Sequence, residues 1–301
     1  MEADKIRVPP RSSASPFPPH LALLVGVLAA STASPIIRLA QAEVNSLAIA
    51  AWRLTLASLI LAPVTLLTRR EELRSLARKD WLLMLASGAM LAVHFATWIS
   101  SLAYTSVAAS VVLVSTSPLF VGLGSFLILR ERLSRPLVVG LAVATVGSLI
   151  IGIEDWGQGT HRLTGDLLAL AGALSVAGYF LIGRRLRARL SLLAYVFPVY
   201  STAAIVLMAV AALARVPLGE YPPVHWLWLL LLALGPQITG HSSLNWALRH
   251  LPATYVTLAV LGEPIGSSVL AWIILGEVPG IVTLIGGALV LTGIALATRP
   301  E

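Results

Sequence analysis

Residues 46–68 read SLAIAAWRLTLASLILAPVTLLT and carry one charge, Arg53. At about 1.5 Å of rise per residue, a helix of this length covers the roughly 30 Å hydrocarbon core of a bilayer. Comparable runs lie on both sides, near 20–41, 81–104, 106–129, 136–153, 165–183, 191–214, 226–248, 253–275 and 278–298, divided by short breaks carrying charge, Pro and Gly. Together they predict an all-α integral membrane protein of ten transmembrane helices. The composition of the 301 residues agrees: 57% are hydrophobic and 12% charged, about half the charged share of a soluble domain. No cysteine is present, which excludes a disulfide framework, a thiol nucleophile and a Cys-built metal site.

A formal net charge of +7 would point to nucleic acid in a soluble chain, but the basic residues sit in alternate loops. With the N-terminus inside, one face holds Lys5, Arg7, Arg11, Arg69, Arg70, Arg74, Arg78, Lys79, Arg130, Arg132, Arg135, Arg184, Arg185, Arg187, Arg189, Arg249 and Arg299. That is 17 of the 21 Lys and Arg; Arg38, Arg162 and Arg215 fall opposite and Arg53 lies within a span. The bias predicts N-in, C-in topology. Residues 1–19, rich in Pro, Ser and basic groups, read as a disordered cytoplasmic tail. A cleavable signal peptide spanning the tail, Leu21 to Ala30 and Ser31 to Ser34 is the competing reading. Cleavage would leave nine spans and remove part of an internal repeat.

That repeat appears when the chain is shifted by 146 residues. Gly26 then falls on Gly172, Arg38 on Arg184, Leu102 on Leu248, Pro118 on Pro264, Glu131 on Glu277, Gly140 on Gly286 and Gly147 on Gly293. Each half has five spans, an odd number, so the second half enters the membrane with opposite orientation. Inverted repeats of this kind build secondary transporters around a site near the midplane.

The stretch Ser115-Thr116-Ser117-Pro118-Leu119-Phe120 followed by Leu129-Arg130-Glu131-Arg132-Leu133, with its partner Leu261-Gly262-Glu263-Pro264 followed by Leu275-Gly276-Glu277, resembles the paired EamA domains of the drug/metabolite transporter superfamily. Gly286-Gly287-Ala288 through Gly293 is similar to that family's last span. The resemblance implies two EamA-like five-helix repeats, at 20–153 and 165–298, in a bacterial inner membrane. It further implies an exporter of amino acids, other small metabolites or drugs working by alternating access, with the YddG-type amino-acid exporters as the first branch to test. No motif here marks that branch.

Polar groups inside spans are functional candidates because lipid does not solvate them. Glu263 is the one acidic residue near the middle of any predicted span and suits proton coupling or a substrate ammonium; the alternative is capping of a helix broken at Pro264. Arg53 is a candidate partner for a substrate carboxylate or for Glu263, against snorkelling to the headgroups. His94 and Trp98 are four apart in the third span, as are His241 and Asn245 in the eighth, so each pair shares a helix face. A substrate cavity lined by His94, Trp98, Tyr104, Tyr179, Tyr200, His241, Asn245 and Glu263 is the expectation, with interhelical packing as the alternative for each. Pro35, Pro118, Pro198, Pro236 and Pro264 fall inside spans as candidate kinks or hinges. Gly140, Gly147, Gly286 and Gly293 predict close packing of the fifth span on the tenth.

There is no phosphate-binding GxxxxGK[ST] loop, no HExxH and no intramembrane carboxylate pair. These readings favour a secondary exporter of small metabolites, neutral or aromatic amino acids first, with drugs, nucleosides or other metabolites as the alternative. A membrane-embedded enzyme would need a cluster of acid, base or metal ligands that the spans lack. The expected partners are a small-molecule substrate and membrane lipid, without nucleic acid, metal or cofactor, in a protein acting as a monomer.

Overall fold

The computed structural model describes residues 18–129, 135–157, 160–251, 256, 259, 260 and 262–297. Most of the expected tail and Glu131 lie outside the described residues. Every regular element within them is helical. In chain order these are α1 Pro19–Ser31, α2 Ala33–Ala40, α3 Ser46–Thr68, α4 Arg70–Arg74, α5 Arg78–Ser101, α6 Val107–Val114, α7 Ser117–Leu129, α8 Arg135–Gly157, α9 Thr160–Arg187, α10 Leu192–Leu213, α11 Pro223–Leu232, a π-helical segment Ala233–His241, α12 Ser242–His250, α13 Gly262–Leu275 and α14 Ile281–Ala297.

Among the described residues, six stretches are long and apolar enough to cross a membrane: Pro19–Ala40, Ser46–Thr68, Arg78–Ser101, Val107–Gly124, His161–Arg187 and Leu192–Leu213. Their outward faces carry Leu59, Leu67, Leu174, Ile205 and Leu213, all exposed, while Arg53 and Arg187 are buried. This inversion of a soluble protein's polarity suits a surrounding solvent of lipid.

Two expected spans are interrupted. The run 20–41 breaks at Thr32, and 106–129 breaks at Ser115 and Thr116. Pro35 is the third residue of α2 and Pro118 the second of α7; Pro264 is likewise third in α13. In the first turn a missing N–H removes no bond within the helix that follows, so these three prolines stand at helix starts, beside the breaks. Only Pro198 lies within one of the five as an uninterrupted α-helix, and Pro236 sits in the π segment. The carbonyl of Ser31, four residues before Pro35, accepts from Ser267 Oγ at 3.1 Å, so the broken end is repaired by a helix of the other half.

The 146-residue offset is visible in space. α3 and α10 begin 146 residues apart, at Ser46 and Leu192, and each is capped by the residue before it: Asn45 accepts from the Leu47 amide, Ser191 from the Ala194 amide. A methyl added at Gly26 would meet Gly240, Ser243 and Leu244 at 3.2–3.4 Å. One added at Gly172 would meet their repeat mates His94, Thr97 and Trp98 at 3.2–3.5 Å. α8 lies along α14, the packing expected from their glycines. A methyl at Gly147 would stand 2.6 Å from the Gly286 carbonyl and 2.9 Å from the Val290 amide; at Gly293 it would stand 2.6 Å from the Gly140 carbonyl and 2.5 Å from the Ala144 amide. Each contact is the other with the halves exchanged, the signature of a two-fold axis between them.

Candidate functional site

The helix breaks converge. Ala30 and Ala33 flank the first, Ser115 and Ser117 the second, His241 closes the π segment and Glu263 lies in the first turn of α13. With Arg53 from α3, His94 and Trp98 from α5, and Val176 and Phe180 from α9, they line one central cavity. Its volume, ≈ 40 Å³, admits water and not a metabolite. Irregular backbone at membrane depth is tolerated where it lines a cavity, and here it supplies the polar part of the wall.

Arg53 is 1% exposed. Its Nε donates to Gln237 Oε1 at 2.9 Å, and its guanidinium lies 4.3 Å from the centre of the Phe95 ring, a cation–π contact. Its Nη1 has no hydrogen-bond partner. The burial rules out snorkelling to the headgroups. Across the cavity, Glu263 makes no hydrogen bond or ion pair within the described residues, though its charge and that of Arg53 interact. The capping role considered for Glu263 is thus not seen in its side-chain contacts, although a first-turn acid is favourably placed at the positive end of a helix dipole.

His94 Nδ1 donates to the Gly172 carbonyl at 3.0 Å. Since a carbonyl only accepts, that nitrogen carries the proton and Nε2 is left as an acceptor. The His94 ring stacks on Trp98 at 5.7 Å and lies 6.5 Å from His241. Gly172 is what lets α9 come close enough for this bond. Trp98 Nε1 and His241 Nδ1 are buried without partners.

Tyr179, Tyr200 and Asn245 form a buried layer beside the cavity without lining it. Asn245 Nδ2 donates to Tyr179 Oη at 2.5 Å, and Tyr200 Oη lies 3.3 Å from Ser242 Oγ. Arg187 Nε donates to the Asn245 carbonyl at 3.0 Å, tying α9 to α12.

Tyr104 is not with them, which corrects the expected site. The third span, drawn to 104, ends as helix at Ser101, and the chain then turns through Thr105. This carries Tyr104 into a second cavity of ≈ 440 Å³ lined by Arg38, Arg162 and Glu277 among others. There Arg38 Nη1 donates to the Leu102 carbonyl at 2.5 Å and Nη2 stands 3.6 Å from Glu277. Glu277 Oε1 in turn accepts from the Val107 amide at 2.6 Å, capping α6.

Gln237, Ser115 and Ser117 were not among the residues expected. A signal for Gln237 was available: with His241 and Asn245 it makes a polar stripe at four-residue spacing within the eighth expected span.

The model of the EamA-like transporter family matches residues 18–153 and 163–299. The chain belongs to the EamA-like transporter family. EamA-like relatives include the pseudopaline exporter CntI of Pseudomonas aeruginosa, 27% identical over 93% of this chain and 96% of that one. A probable terminal-alkyne amino-acid exporter of Streptantibioticus cattleyicolor is 27% identical over 62% of each chain. A riboflavin transporter of Vibrio cholerae is 26% identical over 77% of this chain and 75% of that one. One crystal structure shares the EamA-like protein's fold with a TM-score of 0.65 at 22% identity, covering 92% of this chain and 96% of the other. The protein is a multi-pass transporter of the bacterial inner membrane, and its named EamA-like relatives are transporters, not enzymes.

Proposed function

We propose that this protein exports small zwitterionic metabolites, amino acids foremost, by alternating access about the central cavity. In this reading ten spans form two inverted five-helix repeats, N-in and C-in, acting as a monomer. The observation that carries it is Arg53: a buried guanidinium with an unpartnered nitrogen at a cavity that also holds Glu263. A buried cation without an ion partner is costly, and a solute carboxylate offers the charge-assisted bonds that would satisfy it. Glu263 is placed to take the solute's ammonium or a coupled proton, and Trp98 and Phe180 give apolar surface for a side chain. A relative named as a probable amino-acid exporter supports the same class. The cavity must widen to admit any such solute, which fits a site that opens to one side at a time.

The test is counterflow of labelled amino acids into liposomes loaded with unlabelled candidates. Wild-type protein is expected to exchange at least one neutral or aromatic amino acid, and Arg53→Gln to lose that exchange while remaining monodisperse. Glu263→Gln is expected to retain exchange but to lose acceleration by a pH gradient if Glu263 carries the proton. Absence of exchange with every amino acid, alongside exchange of riboflavin or a nucleoside, would overturn the substrate class.

A further inference from the structure

Gln237 does not line the central cavity, yet it holds the group that gives the cavity its charge. Its side chain is fully buried in the π segment Ala233–His241. Its Oε1 accepts from Arg53 Nε, while its own Nε2 has no partner. Phe95 supports the flat face of the same guanidinium. Arg53 is therefore fixed through one edge and one face, and its Nη1 is left over.

The chemistry of the holder matters. A carboxylate in this place would make the same hydrogen bond and neutralise the guanidinium. An amide oxygen orients the fork and leaves the full charge unspent. A buried arginine held by a neutral acceptor is poised for an anion supplied from elsewhere, and Glu263, the carboxylate that shares the cavity, makes no ion pair with it. The wide turn in which Gln237 sits is also of the kind found at functional sites.

We infer that Gln237 is a specificity-determining positioning residue: by holding Arg53 through a neutral acceptor, it reserves the guanidinium for the carboxylate of the solute. This rests on the central cavity being the solute site. Gln237 acts through Arg53 and does not touch the solute. Solutes with a carboxylate are preferred over otherwise identical molecules without one, and the preference depends on residue 237 being uncharged.

The experiment compares binding of phenylalanine with that of its amide, by calorimetry on purified protein, so that passive leakage of the amide across a bilayer has no effect. Gln237→Glu keeps size and acceptor but adds charge. It is expected to weaken phenylalanine by about tenfold or more and to leave the amide unchanged or tighter. A purely structural role predicts equal effects on both ligands, and an unchanged or equally lowered pair of affinities overturns the inference. If Gln237→Glu does not yield folded protein, Gln237→Met removes the acceptor without adding charge. It is then expected to lower the ratio of phenylalanine to amide affinity by about threefold or more as the guanidinium loses its orientation, and an unaltered ratio again overturns the proposal. Arg53→Gln separates the two levels of the argument. If it abolishes the preference and the Gln237 variants do not, only the role of Gln237 fails; if wild-type protein binds neither ligand, the reading of the cavity fails.

Discussion

Arg38 and Arg184 are the same residue at the same place in the two halves, yet they do different things. Arg38 reaches the Leu102 carbonyl and Glu277; Arg184 is exposed, with no comparable bond to Leu248. Gln41 and Arg187 are different residues at equivalent places, and they do the same thing. Gln41 Nε2 donates to the Ile99 carbonyl at 2.8 Å, and Arg187 Nε donates to the carbonyl of Asn245, the repeat mate of Ile99, at 3.0 Å. The backbone of the duplicated fold is more faithfully repeated than its side chains. A carbonyl accepts from any long donor, so the bond outlives the identity of the residue making it.

The largest effect is expected where the copies differ most in chemistry. Arg187 is 1% exposed and also donates to the Leu190 carbonyl. Arg187→Leu is expected to cost about 3 kcal/mol in an SDS unfolding titration, Gln41→Leu about 1 kcal/mol. Arg187→Gln should recover much of the difference, because the other half already makes this bond with an amide; no recovery would mean that the charge itself is needed.

The next effect tests where the halves are alike. Gly147→Ala and Gly293→Ala each push a methyl into backbone of the facing helix and are expected to cost about 2 kcal/mol apiece. Equal losses would support the two-fold reading of the contact; a large loss at one site alone would break it. The smallest effect belongs to the matched arginines. Glu277→Gln, which weakens the hold on Arg38 and on the Val107 amide, is expected to cost about 1 kcal/mol. Arg184→Gln should produce no measurable shift in the same titration.

These contrasts explain what was legible in the sequence. The duplication could be read because Gly26, Gly172, Gly147 and Gly293 stand where helices touch and nothing larger fits, and because Pro118 and Pro264 mark helix starts that only a first-turn position tolerates. Arg53, His94, Trp98, His241 and Glu263 could be read as candidates because polarity inside an apolar run is conspicuous, and the structure gathers them at one cavity. The breaks at Thr32 and Ser115 were less visible, since the runs around them are as apolar as unbroken spans. Tyr104 was misplaced because hydropathy continues past Ser101, where the helix stops. Gln237 was passed over although its four-residue spacing to His241 and Asn245 was there to be read, and its bond to Arg53, 184 residues away in sequence, was not. The Gln41 and Arg187 bonds were beyond reach, as nothing in a residue's identity says which carbonyl it will find.

The crossing of α8 and α14 has a practical consequence. Exchanging the two halves maps the Gly147–Gly293 separation onto itself, so a rearrangement that swaps their roles should leave it unaltered, while distances between residues not related by the 146-residue offset lengthen or shorten. The sequence contains no cysteine, so probes can be attached one pair at a time without competing thiols. A pair on the lipid-facing sides of α8 and α14 would act as a fixed ruler, against which every other measured displacement in the working protein could be calibrated.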